Sequence, residues 1–210
     1  MKKIDSIIFD LDGTLWDASE TSATGWNVVL VKNNLSEFEV TADDIRKVSG
    51  LPFDECLANI FGHVEQVDCI SLEPIIDEEE KRSLELNGGT LFEGVVEGIR
   101  ALSKDFPLFL VSNCQSWYLR SFWNQFKVEQ YFQGQDCYGD SGESKAEMIK
   151  GISNKHFLKH PIYIGDTEGD QKASHEAGVV FGYASYGFGE ASNPQVSFSS
   201  FDKLVSWFLT

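Results

Sequence analysis

Residues 4–14, IDSIIFDLDGT, run a short apolar, β-rich segment straight into two carboxylates, a glycine and a threonine. The segment reads as a buried strand, interrupted early by Asp5 and Ser6, that empties into a loop at Asp10. The same event recurs along the chain. Residues 107–111 end in Ser112-Asn113, residues 161–164 end in Gly165-Asp166, and residues 179–183 are followed by the glycine-rich Gly187-Phe188-Gly189. A weaker run at 135–138 makes five strands. Between them lie helical spacings: Val95, Ile99 and Leu102; Trp117, Leu119, Phe122 and Phe126; Leu204, Val205, Phe208 and Leu209. Strands alternating with helices predict an α/β fold with a doubly wound parallel sheet, whose ligands bind in the crevice outside the carboxyl ends of the strands.

Residues 17–87 break that alternation, holding helical patterns and no convincing strand. One helix opens with Thr41-Ala42-Asp43-Asp44, where the Thr41 hydroxyl can cap the helix and Asp44 can return the bond. The expectation is a small α-helical cap domain at 17–87 inserted into a core of residues 1–16 and 88–210, with Asn87-Gly88-Gly89 as a flexible return. At 210 residues, one sizeable core and one small appended domain fit the length.

A formal charge of −16 repels polyanions, which disfavours a nucleic-acid backbone or an anionic membrane surface as partner. A phosphorylated substrate would then need local positive charge, from a metal or a buried lysine. Cys56, Cys69, Cys114 and Cys137 form no CxxC pair and have no histidines at zinc spacing, so they read as reduced thiols. Lys2 and Lys3 precede an apolar run that Asp5 and Asp10 cut short of a signal-peptide core, and no segment nears the ~20 apolar residues of a membrane span. A cytoplasmic protein is expected, with its oligomeric state unspecified.

Asp10 and Asp12 are two apart, so on an extended backbone both carboxylates leave one face and can share a site. Gly13 permits a tight turn, and Thr14 adds a hydroxyl where a phosphate oxygen could sit. Gly165-Asp166-Thr167-Glu168-Gly169-Asp170 delivers further carboxylates to the same sheet edge. Unit charges about 4 Å apart repel by roughly 4 kcal/mol at an effective dielectric near 20, so several carboxylates in one crevice call for a divalent cation. Oxygen-only ligands without histidine or cysteine favour Mg²⁺.

FDLDGTLWD at 9–17, VSN at 111–113, a lysine at 145 and GDTEGD at 165–170 together resemble the haloacid dehalogenase superfamily over nearly the whole chain. The resemblance implies a Rossmann-like core and a set of roles. Asp10 would be the nucleophile that becomes an aspartyl phosphate and a Mg²⁺ ligand. Asp12 would be the general acid/base and would lend its backbone carbonyl to the metal. Ser112 would bind phosphoryl oxygens, with Thr14 and Asn113 beside it. Lys145 would neutralise phosphoryl charge and hold Asp10 ionised, Lys150 and Lys155 being its rivals. Asp166 is similar to a metal ligand, with Asp170 completing or supporting the shell. Members that cleave carbon–halogen bonds lack an acid at the position of Asp12, so phosphoryl chemistry is implied.

The inserted cap resembles the phosphoglycolate phosphatase-like branch, whose substrate loop is similar to Gly50-Leu51-Pro52. Gly50 and Pro52 are therefore substrate-binding candidates, while Trp16 and Trp26 could line an apolar wall or lie in the core. The family's usual proline before Gly94 is Glu93 here, and no functional consequence attaches to it. The expected activity is hydrolysis of a small phosphorylated metabolite. The shared motifs leave phosphotransferase or sugar-phosphate mutase activity open, and less readily a silent binding protein, which would have lost an acidic residue.

Overall fold

The computed structural model of the chain describes residues 4–35, 37–62, 64 and 67–210; Lys2 and Lys3 lie outside them. The run that opens the sequence becomes β1 (Ser6–Phe9), whose four residues are all buried. After it come β2 (Trp16–Asp17), β3 (Thr90–Leu91), β4 (Leu108–Ser112), β5 (Phe132–Cys137), β6 (Pro161–Gly165), β7 (Val180–Ala184) and β8 (Val196–Phe198). Six of them form one sheet in the order β5-β4-β1-β6-β7-β8, every neighbouring pair parallel. β1 is central, with Phe9 opposite Leu110 of β4 on one side and Ile164 of β6 on the other.

The helices explain why β1 is apolar on both faces. They are α1 (Ser19–Lys32), α2 (Ala42–Val48), α3 (Phe53–Phe61), α4 (Cys69–Asn87), α5 (Val95–Leu102), α6 (Ser116–Phe126), α7 (Tyr138–Ser141), α8 (Lys145–Lys155), α9 (Glu168–Glu176) and α10 (Phe201–Leu209). Ile7 and Phe9 join a core with Ile99 of α5, Phe122 of α6 and Leu204 of α10. Ile8 joins the opposite core with Met148 and Ile149 of α8 and Ala173 of α9. A parallel strand covered on both faces needs a continuous apolar run rather than an alternating one. Fully burying each such side chain contributes about 1.5–3 kcal/mol, enough to fix the strand at the centre of the sheet.

The chain leaves β1 for β4 and β5 in one direction and returns to place β6, β7 and β8 in the other. The crevice between the ends of β1 and β6 is the point where strand order reverses, and open α/β sheets bind ligands there. The sequence yields five strands; the sixth, β8, is a three-residue edge strand too short to carry a periodicity.

α1 to α4 form the helical insert, with their own core around Trp26, Val29, Leu30, Leu57, Phe61 and Ile76. The expected capping box is present: Asp44 N donates to Thr41 Oγ1 at 3.2 Å, and Thr41 N donates to Asp44 Oδ2 at 3.1 Å. α1 and α4 approach closely at Gly25, where a Cβ would lie 2.9 Å from the Glu80 Cα. The chain crosses into and out of the insert through β2 and β3, an antiparallel pair with Trp16 opposite Leu91. The glycine return after α4 is tied rather than loose, because the Gln125 amide accepts from Gly89 N at 2.9 Å and donates to Gly89 O at 2.8 Å. Among the described residues, no helix is long and apolar enough to cross a membrane.

Candidate active site

Asp10 follows β1 directly, and its amide donates to Ile164 O at 2.8 Å, which carries the β1–β6 pairing one residue past the strand. Its carboxylate is thereby delivered, buried, into the crevice. The backbone then turns: Leu15 N donates to Leu11 O at 2.8 Å, and Gly13 adopts φ +74°. A Cβ on Gly13 would stand 2.2 Å from Asp166 Oδ2, so both its conformation and its space require glycine.

β1 ends at Phe9 and the chain turns over residues 11–15, so Asp12 stands apart from the tightest carboxylate cluster while its charge still raises Asp10. Asp12 Oδ1 accepts from Tyr118 OH at 2.6 Å and Trp16 Nε1 at 3.1 Å, and Asp12 lines the cavity between insert and sheet. The carboxylate cluster is instead Asp10, Asp166 and Asp170, each offering an oxygen within 4.8 Å of the others. Burial lifts the Asp12 carboxyl to about 6, although the Tyr118 hydrogen bond opposes the rise.

Asp166 ends β6, and Thr167 caps α9 in a second capping box. Asp170 Oδ2 accepts from Thr167 Oγ1 at 2.7 Å, Thr167 N at 3.0 Å and Asp166 N at 3.2 Å, while Oδ1 accepts from Lys145 Nζ at 2.6 Å. Lys145 Nζ also donates to Asp10 Oδ1 at 3.1 Å. Asp166 Oδ2 accepts from Phe188 N at 2.7 Å and Gly189 N at 3.3 Å, and Thr14 Oγ1 approaches Asp166 Oδ1 at 3.4 Å. The glycine-rich segment after β7 therefore supplies amides to a carboxylate. A Cβ on Gly187 would lie 2.3 Å from Gly13 O, which is why a small residue stands there.

One ammonium faces three buried carboxylates, and the protonation energetics record the imbalance. Burial and then the charge of Asp170 raise Asp10 well above the usual carboxylate range, and the same two causes lift Asp166 to about 7. Against the effect of burial, Lys145 holds Asp170 below that range, and Asp10 and Asp170 together keep Lys145 charged. Three hard oxygen donors with surplus negative charge fit a divalent cation such as Mg²⁺.

Ser112, buried at the end of β4, accepts from Cys114 N at 3.3 Å. Asn113 Nδ2 donates to Gly50 O at 2.7 Å, so the loop between α2 and α3 reaches the sheet edge. Asn113 Oδ1 is buried without a hydrogen-bond partner. Gly50 has φ +89° and lines the cavity between insert and sheet; Pro52 starts α3 and does not line it. Lys150 pairs with Glu147 on the surface, away from the cluster. Trp16 is a core residue, edge-on to Tyr118 at 5.2 Å, whereas Trp26 does line the cavity.

The cavity has a volume of about 70 Å³ and includes Asp12, Ser112 and Asn113 in its lining. Glu80 also lines it, and sequence reasoning missed that residue. It sits in DEEEKR at 77–82, which reads as a solvated face, yet Leu72, Ile76 and Glu80 recur every four residues and are all buried. That i+4 spacing was the available signal. Tyr118, the donor to Asp12, was hidden likewise beside the more conspicuous Trp117.

A family model described as haloacid dehalogenase-like hydrolase matches residues 7–184. A 5′-nucleotidase of Pseudomonas aeruginosa is 24% identical over 192 residues, covering 88% of this chain and 84% of its own. Among solved structures, a predicted phosphoglycolate phosphatase from Haemophilus somnus superposes with a TM-score of 0.84 at 20% identity, covering 99% of both chains. A haloacid dehalogenase-like family hydrolase from Streptococcus pneumoniae gives 0.82 at 21% identity, covering 99% of this chain and 100% of its own.

Proposed function

The chain belongs to the haloacid dehalogenase-like hydrolase family, and we propose that within it this protein is a magnesium-dependent phosphatase acting on a small phosphomonoester. The observation that carries the reading is the division of labour between two carboxylates two residues apart. Asp10 sits in the crevice against Lys145, and Asp12 sits on the cavity side at about 6, near the working range of a general acid/base.

Asp10 attacks phosphorus, forming the aspartyl phosphate while the ester P–O bond breaks, and Asp12 passes its proton to the departing alkoxide. Asp12, now a carboxylate, takes a proton from the water that hydrolyses the aspartyl phosphate, which returns Asp10 and releases inorganic phosphate. Lys145, bridged between Asp10 and Asp170, favours the ionised nucleophile against the effect of burial, and Ser112 at the end of β4 binds phosphoryl oxygen. Asp10 and Asp166 would hold Mg²⁺, with the Asp12 carbonyl, as the family resemblance implies. Both Asp170 oxygens are engaged, by Lys145 and by the start of α9, so Asp170 supports the site by positioning the lysine. When bound, the cation neutralises the phosphoryl oxygens and the surplus carboxylate charge. Asp12 separates this chemistry from dehalogenation, which has no alkoxide to protonate. The insert at 17–87 is the cap over a core of 1–16 and 88–210, and the two are joined at the β2–β3 pair.

A panel of small phosphomonoesters assayed for inorganic phosphate with Mg²⁺ and with EDTA tests the reading. Phosphate release that depends on Mg²⁺ and is lost in Asp10→Asn is expected. Equal turnover in EDTA refutes the metal's part, and an isomeric phosphoester formed without inorganic phosphate refutes hydrolysis.

A further inference from the structure

The cavity beside Asp12 is where the alcohol part of a phosphoester bound at Asp10 would lie, and its chemistry is one-sided. Two carboxylates line it, Asp12 and Glu80, and among the described residues no lysine, arginine or histidine does. Glu80 is 6% exposed, and its Oε2 accepts from Trp26 Nε1 at 2.8 Å. Asn113 Oδ1 has no hydrogen-bond partner, and because Nδ2 is held by Gly50 O the amide cannot turn to offer a donor without losing that bond. Trp26 and Trp117 supply aromatic wall, their indole N–H groups already donated to Glu80 and to Asp77, the latter at 2.8 Å.

Unsatisfied buried acceptors are costly unless a ligand pairs them. A ligand that meets two carboxylates, a free amide oxygen and aromatic rings must bring hydrogen-bond donors and positive charge, and aromatic rings attract cations in their own right. Size points the same way, because a cavity of about 70 Å³ favours a compact leaving group.

Resting on the phosphatase reading, we infer that the substrate is a phosphomonoester of a small amino alcohol, its ammonium group bound by Glu80, the Asn113 amide oxygen and the Trp26 and Trp117 walls. The same residues reject a leaving group that carries a carboxylate, since its charge would meet ionised Glu80 in a cavity whose described lining holds no cation. Glu80 is a specificity-determining residue set apart from the reacting atoms, and the insert supplies it. Burial lifts its carboxyl to about 7, so at pH 8 it is mainly ionised and offers its charge to a cation.

The test compares kcat/KM for 2-aminoethyl phosphate, carboxymethyl phosphate, a nucleoside monophosphate and p-nitrophenyl phosphate at pH 8 with Mg²⁺. The aminoethyl ester is expected to exceed the carboxymethyl ester by about 10²-fold, the scale of a like-charge mismatch in a desolvated pocket. Glu80→Gln should lower that ratio at least about tenfold, as loss of one buried charge pair would. Preference for the carboxymethyl or nucleoside ester, or an unchanged ratio in the variant, overturns the inference while the phosphatase reading stands. The ratio in the unaltered chain needs no variant to fold. If no phosphoester is hydrolysed, the phosphatase reading fails, and the cavity is tested by thermal shift with ethanolamine against glycolate. Stabilisation by ethanolamine alone supports the cation pocket; no shift, or a shift with glycolate, overturns it.

Discussion

Glu80→Gln should make the ligand-free protein more stable at pH 8 and leave it unchanged at pH 4. Glu80 ionises near 4.5 in an unfolded chain and near 7 in the folded one, and burial is the main cause. Between those values the native state holds a proton that the unfolded state has released, so stability falls as pH rises through the window. A shift of about 2.5 units at 1.36 kcal/mol each amounts to about 3 kcal/mol of stability lost by pH 8. The charges facing Glu80, on Asp12 and Asp77, act in the same direction. Glutamine keeps the shape and an oxygen for Trp26 Nε1 but never ionises. The variant should therefore gain up to about 3 kcal/mol at pH 8, which for a chain of this length raises Tm by about 6–12 °C. Urea or thermal denaturation of both proteins at pH 4, 6 and 8 without substrate measures it. A difference between variant and parent that stays flat with pH would show that Glu80 titrates normally and refute the reasoning.

Three further outcomes follow from the site. Mg²⁺ should raise Tm in the parent protein and should do so much less in Asp166→Asn, measured by thermal shift, because the variant removes one of the three clustered carboxylates. Lys145→Ala should abolish turnover and cost about 3–5 kcal/mol in the absence of metal, since it strands buried Asp10 and Asp170; Lys150→Ala, on the surface with Glu147, should change either by little. Asp12→Asn should slow alkyl phosphates by about 10²- to 10⁴-fold for want of a general acid, while p-nitrophenyl phosphate gives a stoichiometric burst of nitrophenolate followed by slow turnover; wild-type rates on alkyl esters would remove Asp12 from the mechanism.

What the sequence disclosed and what it hid divide along physical lines. β1 was legible because a strand buried on both faces must be uniformly apolar, and the Asp10 that ends it breaks that run abruptly. Asp166 was legible because it follows an apolar strand run directly, and Asp170 because the GDTEGD pattern carries it four residues on. The direction of the Asp12 side chain was not, since it depends on a turn that Gly13 permits and on Tyr118 106 residues away. Glu80 was concealed by its charged neighbours, because helix phase decides which of the six charges at 77–82 turns inward and tertiary packing fixes that phase. The three residues of β8 have no pattern of their own and pair only because β7 offers an edge.

Trp16 and Leu91 stand opposite each other, so the insert leaves and rejoins the sheet at a single place. A segment whose ends are neighbours can be lengthened, exchanged or excised without re-threading a strand of the sheet. The reacting carboxylates, Asp10, Asp12 and Asp166, all lie outside that segment, and Glu80, Trp26 and Gly50 all lie inside it. The chemistry thus lies outside the insert, while the leaving-group pocket is shared between the insert and Asn113 and Trp117 of the core. Grafting another insert between positions 16 and 91 would then be expected to redirect the catalyst to a new alcohol with its phosphoryl step intact.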